Sequence, residues 1–99
     1  MRAAGSNPHS GVYGGKVEVQ RNLIDRIYEE TSEAEVLGLV DRGIGNDHVF
    51  TIVHERFKKA DGRMFETKRI VIYRWLNQKI VEVLYLDPDQ AAADAFWSD

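Results

Sequence analysis

The sequence predicts an α+β domain in which one long helix packs on an antiparallel β-sheet. Apolar residues between Val19 and Tyr28 repeat at the spacing of one helix face, whereas the chain after Ser32 has the patterns of β-strands. Asp61-Gly62 separates two of the predicted strands, and this dipeptide is a strong signal for a tight hairpin turn. Because hairpins join neighbouring strands, we expect an antiparallel sheet.

The composition is that of a folded globular protein with one domain. The chain has 99 residues, of which 43% are hydrophobic and 29% are charged. There is no cysteine, so disulfides and thiolate metal sites are excluded. The net charge of -3 gives no support to nucleic-acid binding, which favours a basic excess, and we expect no nucleic-acid partner. The basic pairs Lys58-Lys59 and Lys68-Arg69 are interpreted as solvated residues of a hairpin.

Two absences in the sequence bear on localisation. No apolar run approaches the roughly 18 residues that a membrane span needs. The first eleven residues lack the apolar segment of a signal peptide. We therefore expect no membrane partner and a cytoplasmic location.

The N-terminal part of the chain is predicted to contain an arm and then the long helix. Residues 1–10 are small and polar, which predicts a flexible arm ahead of a domain at 11–99. The helix is expected over residues 16–30, with Leu23, Ile24, Ile27 and Tyr28 on one face. Of these, Leu23 and Ile27 are expected to face the sheet.

Four strands are predicted after the helix, one short and three long. They are expected at residues 36–41, 48–59, 64–76 and 79–86. The long strands exceed the usual length of about five or six residues. This length favours a bent or bulged sheet that wraps around something.

The tail predicts a short C-terminal helix. Asp87 is expected to cap it and Pro88 to occupy its first position, while Phe96 and Trp97 dock it on the domain. Asp87 and Asp89 also allow a paired-carboxylate site at the mouth of a pocket. Capping is the favoured interpretation.

Four segments match the motifs of a known superfamily in order and spacing. They are the start of the long helix at residues 11–19, the central hairpin at 61–74, the last strand at 79–82 and the tail at 88–97. On these motifs the chain resembles the SnoaL-like, ketosteroid-isomerase-like superfamily, which has the nuclear-transport-factor-like cone fold. The resemblance implies a strongly bent antiparallel sheet, closed by helices around an apolar pocket.

Two departures from the superfamily pattern bear on function. Members carry helices and a strand ahead of the motif that begins at Gly11, so the resemblance implies a cone that is shortened at its N-terminus. The superfamily includes polyketide cyclases and ketosteroid isomerases, and when the last strand is matched through residues 79–82 the catalytic aspartate of the cyclases would fall on Tyr85. A phenol, with an ordinary pKa of about 10, does not take a proton from carbon as a carboxylate does. The cyclase and isomerase mechanisms therefore do not carry over, and the catalytic residues stay unknown.

The candidate ligand site lies on the last two strands. Alternation places Val83 and Tyr85 on one face of the last strand, and Val71 and Tyr73 on one face of the strand before it. The resemblance directs these faces into the cone, where the two phenols would donate hydrogen bonds and His54 would act as a pocket base. The simpler interpretation is that the tyrosines are core aromatics and that His54 is a partly exposed strand residue.

No metal ion and no cofactor are expected. His48 and His54 are separated by six positions on one predicted strand, which is roughly 20 Å at the usual rise and too far for one ion. The chain has no cysteine, and no further histidine on this strand completes a set of ligands.

The sequence leaves two classes of function open. The favoured one is a non-catalytic module that forms a homodimer through the outer face of its sheet or binds a small apolar ligand. Four apolar residues are expected on that outer face, namely Ile70, Ile72, Leu84 and Leu86. The alternative is a lyase, isomerase or hydrolase that acts on a cyclic apolar small molecule in the pocket.

Overall fold

The computed structural model describes residues 1–98, so Asp99, the last residue of the predicted domain, lies outside the described residues. Six strands form one sheet in the order β2-β1-β6-β5-β4-β3. Their bounds are β1 Arg2–Ala3, β2 Gly11–Val12, β3 Glu33–Ile44, β4 His48–Lys58, β5 Met64–Leu76 and β6 Lys79–Leu86. The predicted α+β class, with a curled sheet, a long helix and a short C-terminal helix, is confirmed.

Two helices accompany the sheet. The long helix comprises an α-helical segment α1 (Gly15–Val19), a π-helical segment (Gln20–Ile24) and a second α-helical segment α2 (Asp25–Glu30). The C-terminal helix is α3 (Gln90–Trp97). Leu23 on the long helix is buried as predicted, but Tyr28 is exposed. The helix crosses an open concavity of the sheet at that point, so Tyr28 lines a cavity instead of packing in a core.

The four long strands form an antiparallel meander. The β4–β5 hairpin turns at Asp61-Gly62 as predicted, with Gly62 at φ 93°, a backbone conformation that glycine adopts without strain. The β5–β6 hairpin turns at Asn77-Gln78, and both of these residues have positive φ. The turn chemistry of the sequence therefore sets the order of the meander.

β3 is twice as long as the strand predicted at residues 36–41. Its pairing with β4 is interrupted between Val36 and Gly38 and again between Leu39 and Asp41. Each interruption is a β-bulge, which adds a residue to one strand and breaks the alternation of faces. The sequence pattern therefore shows only the middle of this strand.

The segment 1–10, expected to form a flexible arm, packs on the domain. β1 lies parallel to β6, with Ala3 opposite Tyr85. The Asn7 side chain donates a 2.6 Å hydrogen bond to Asp94, and the Tyr13 hydroxyl donates one of 2.6 Å to the His9 carbonyl. The small residues of this segment predict mobility from the sequence alone. In the structure they allow the backbone of the segment to lie close to β6 and α3.

The core lies at the end of the sheet that meets α3. One cluster of buried residues contains Phe57, Phe65, Ala93, Phe96 and Trp97, and a second contains Ala3, Tyr13 and Leu23. At the opposite end the long strands continue past the helices, and several apolar side chains there are exposed: Ile44, Trp75, Leu76 and Ile80. The domain is therefore well packed at one end and open at the other.

The cap of α3 differs from the prediction. Asp89 is the N-cap, and its carboxylate accepts a 3.0 Å hydrogen bond from the Ala92 N–H. Asp87 is buried and takes no part in capping with its side chain, because that carboxylate accepts hydrogen bonds from Thr67 and Arg69. The prediction for Asp87 was wrong because these partners come from β5, which the local sequence around the helix does not show.

Two basic residues that were interpreted as solvated are buried. Lys59 donates a hydrogen bond to the carbonyl of Phe96, and its Nζ lies 4.7 Å from the centre of the Phe96 ring. Arg69 is 2% exposed and lies on the inner face of the sheet. Both side chains find their partners on elements that are distant in the sequence.

Candidate functional site

A concavity of about 850 Å³ lies between the long helix and the inner face of the sheet. We call this inner face the concave face and the opposite one the convex face. Side chains of the long helix form one wall, and β3 to β6 form the other. Most of the lining is apolar or aromatic, including Ile27, Phe57, Val71 and Val83. A cavity of this size and character is typical of sites for small organic molecules.

Four of the five predicted site residues line this concavity. Val71 is paired with Tyr85 across β5 and β6, and Tyr73 is paired with Val83, so all four share the concave face. Neither tyrosine hydroxyl has a hydrogen-bond partner within residues 1–98. Strand alternation therefore predicts their position, and their role in binding stays a prediction.

His54, the fifth predicted residue, is not part of the concavity. It lies on the convex face, opposite Lys68 on β5, and its Nε2 is 3.2 Å from a carboxylate oxygen of Glu66. The next residue along β4, Glu55, takes the position on the concave face. The face of β4 could not be assigned from its own pattern, because β-branched, aromatic and charged residues occur on both sides of this strand.

An ion network that the sequence patterns did not predict lies at the base of the concavity. The Arg69 guanidinium places Nε 3.2 Å from Asp87 and Nη1 3.5 Å from Glu55. The Thr67 hydroxyl donates a 2.8 Å hydrogen bond to the Asp87 oxygen that also accepts from Arg69. We call these residues the Glu55–Arg69–Asp87 network. Three different parts of the chain supply its charged members.

Two aromatic rings hold the guanidinium in place. Its central carbon lies 4.2 Å from the centre of the Tyr85 ring and 5.0 Å from that of Phe57. The electron-rich faces of such rings attract cations. The sequence contained one signal for this arrangement: Arg69 shares its strand parity with Val71 and Tyr73, which were already placed on the inner face.

Comparison with solved structures gives clear matches across almost the whole chain. A protein of unknown function with a cystatin-like fold from Xanthomonas campestris is 22% identical, has a TM-score of 0.81, and the match covers 99% of this chain and 75% of that one. An NTF2-like protein from Burkholderia thailandensis E264 is 19% identical, with a TM-score of 0.81 and coverage of 98% and 72%. The chain has the NTF2-like fold. The predicted resemblance is thereby confirmed at the level of the fold.

A third neighbour of this NTF2-like domain is Bal32a from a soil-derived mobile gene cassette. It is 17% identical, with a TM-score of 0.82 and coverage of 97% of this chain and 72% of that one. No protein-family model and no curated protein matches the sequence. These likenesses establish the architecture, and a fold alone does not determine the chemistry of a site.

The charge of the network is unbalanced in this NTF2-like domain, because one guanidinium faces two carboxylates. The Glu55 side chain is 18% exposed and lines the concavity, whereas that of Asp87 is 5% exposed. Burial raises the pKa of Glu55 above its ordinary value, and the nearby Arg69 opposes this effect. Glu55 is therefore the more exposed carboxylate of the network, and it lines the concavity together with Arg69.

No metal centre accompanies this network in the part of the chain that the structure describes. Residues 1–98 contain no group of three or more His, Asp or Glu side chains that is arranged to hold a metal ion. No helix within the same residues is long and apolar enough to cross a membrane.

Proposed function

We propose that this NTF2-like domain binds a small, largely apolar molecule in its concavity and assembles as a homodimer through its convex face. The observation that carries the binding proposal is the 850 Å³ concavity, whose mainly apolar lining surrounds a few polar groups. Small-molecule sites in proteins have this composition, because apolar walls provide affinity and the few polar groups orient the ligand.

The two phenols provide a direct test of binding. In the double variant Tyr73→Phe/Tyr85→Phe, we expect a neutral carbonyl-bearing fluorophore, prodan, to bind about threefold to tenfold more weakly, since each lost hydrogen bond contributes about 1 kcal/mol or less. The melting temperature should be nearly unchanged, because neither hydroxyl has a protein partner within residues 1–98. Fluorescence titration measures the affinity, and Tyr13→Phe, which removes a phenol hydroxyl outside the concavity, is the control that should leave the affinity unchanged. A large loss of stability without a change in binding would make the two tyrosines structural.

The convex face carries two adjacent apolar rows that cross three strands. Phe50, Ile72 and Leu84 form one row, and Ile52, Ile70 and Leu86 form the next. The register places each residue opposite its neighbour, so the six side chains make one continuous patch. The adjacent row is charged, with Arg74 and Glu82 paired at 3.4 Å. A two-fold axis through the patch would bury the same six residues on both copies.

Replacing a central residue of this patch tests the dimer. We expect Leu84→Arg to produce monomer or insoluble protein, because a two-fold contact would bring two new charges together in an apolar interface. Val17→Arg, at an exposed apolar position on the long helix, should leave the assembly unchanged. Sedimentation equilibrium at micromolar concentration measures the mass. A wild-type protein that is monomeric under these conditions would overturn the assembly proposal and leave the binding proposal standing.

A second candidate function is catalysis, as a lyase, isomerase or hydrolase acting on a cyclic apolar molecule. One observation favours it: Glu55 is a carboxylate in a largely apolar cavity, and the pKa of that carboxylate is raised by burial. Groups with perturbed pKa values in cavities are frequent general acids and bases. Loss of turnover in Glu55→Gln with retained ligand binding would distinguish catalysis from binding alone.

A further inference from the structure

We infer that the concavity selects molecules that carry a protonated amine on an apolar body, and that Glu55 is the residue that binds the amine. This inference rests on the proposed binding function and adds the chemical class of the ligand. Two observations support it: the network has two carboxylates and one guanidinium, and Glu55 is the carboxylate of the network that lines the cavity.

The uncompensated negative charge of the network lies at Glu55. Asp87 is satisfied within the protein, because it accepts hydrogen bonds from Thr67 at 2.8 Å and from Arg69 at 3.2 Å. Glu55 has one contact in the network, to Arg69 at 3.5 Å, which is at the limit of a hydrogen bond. A cation placed against Glu55 from the cavity would complete an alternating series of four charges. A negatively charged ligand would instead meet a net negative site.

Two other glutamates border the cavity, but their carboxylates are held in ion pairs toward the convex face, so they do not compete with Glu55 for a cation. Glu35 is paired with Arg56 at 2.7 Å, and Glu82 is paired with Arg74 at 3.4 Å. Both pairs are substantially exposed, and such pairs attract little additional charge because water screens them. Lys16 lies at the exposed start of the long helix. Glu55 is therefore the least exposed of the three glutamates that border the cavity.

The lining next to Glu55 explains why an apolar body is required. Phe57 follows Glu55 on the concave face of β4, and Val36 lies directly opposite Glu55 on β3, so apolar side chains line the cavity on two sides of this carboxylate. A small hydrated ion would lose its water without gaining apolar contacts. An amine attached to a hydrocarbon gains both the apolar contacts and a charged hydrogen bond. The burial that raises the pKa of Glu55 disfavours the charged form of its side chain, and a bound cation would offset that cost.

Three probes with the same hydrocarbon body test the selectivity: adamantylamine, adamantanol and adamantane carboxylate. At neutral pH the amine is protonated and the acid is ionised. By isothermal titration calorimetry we expect the amine to bind about tenfold or more tightly than the alcohol, and the carboxylate to bind most weakly. In Glu55→Gln the amine should lose about tenfold or more in affinity, and the alcohol should change by less than about twofold. Glu66→Gln, which removes a carboxylate on the convex face, is the matched control and should change neither affinity.

Each outcome of this experiment separates the two proposals. If the three probes bind equally, the cavity binds small apolar molecules and the amine selectivity is overturned. If none binds, both proposals are overturned. If the amine binds tightly and keeps its affinity in Glu55→Gln, the role of Glu55 is overturned. The ranking of the three probes needs no variant, and Glu55→Asp, which withdraws the carboxylate by one methylene, tests the residue should Glu55→Gln fail to fold.

Discussion

Replacing Arg69 by methionine is expected to lower the free energy of unfolding by about 3–5 kcal/mol at neutral pH. Methionine preserves much of the volume between Phe57 and Tyr85 but leaves Glu55 and Asp87 buried without a cation. Removing one partner of a buried ion pair is costly for this reason, even where the intact pair contributes little net stability. Urea denaturation of wild type and variant gives the difference.

The control and the pH dependence make this prediction specific. Arg74→Met lies on the same strand and breaks an exposed pair with Glu82, so it should cost about 1 kcal/mol or less. In Arg69→Met, Glu55 loses the cation that opposes the effect of burial on its pKa, so the folded variant binds a proton more readily than the unfolded chain does. The cost should therefore shrink as the pH falls toward the ordinary carboxyl range of about 4. Equal costs for the two arginine variants, or a cost that grows in acid, would contradict the assignment of the network.

Trp97→Ala is expected to cost about 3–5 kcal/mol, the usual range for removing a buried tryptophan. Trp97 is 4% exposed, and its ring lies 5.2 Å from Phe57 and 4.8 Å from Phe96, measured between ring centres. His9 packs edge-on against the same ring at 4.6 Å. The substitution would therefore open a cavity that joins the N-terminal segment, β4 and α3.

The second tryptophan of the chain is the matched control. Trp75 is 40% exposed at the open end of β5, and Trp75→Ala should cost about 1 kcal/mol or less in the same urea experiment. If Trp75→Ala were the more damaging of the two, the core would lie at the other end of the sheet, for example beneath a second chain.

Local patterns were enough to predict β5 and β6 to the residue. Their alternation is regular over most of their length, and the dipeptides Asp61-Gly62 and Asn77-Gln78 mark their ends. β3 was predicted too short because its bulges shift the faces of the strand. The same local patterns placed Val71, Tyr73, Val83 and Tyr85 together on the concave face, since alternation relates neighbours within a strand.

Local sequence patterns did not predict which charged side chains are buried. Lys59, Arg69 and Asp87 were all assigned to solvent or to a helix cap on the basis of their neighbours in the sequence. Each is buried because its partner comes from another element. Lys59 donates to Phe96 of α3, Arg69 pairs with Glu55 of β4, and Asp87 pairs with Arg69 of β5. A charged residue becomes buried where long-range packing compensates it, and a single sequence does not state which residues will meet.

The parallel pairing of β1 with β6 has a consequence for the order of folding. The Asn7–Asp94 hydrogen bond joins residues that are 87 positions apart, whereas the hairpins of the meander are local. Closing so large a loop is entropically unfavourable until the meander has formed. We expect pulsed hydrogen exchange during refolding to protect β4 and β5 before Ala4, whose N–H donates to the Tyr85 carbonyl. Simultaneous protection would contradict this order. During synthesis the sheet would therefore be completed only after β6 and α3 have been made and are free to meet β1.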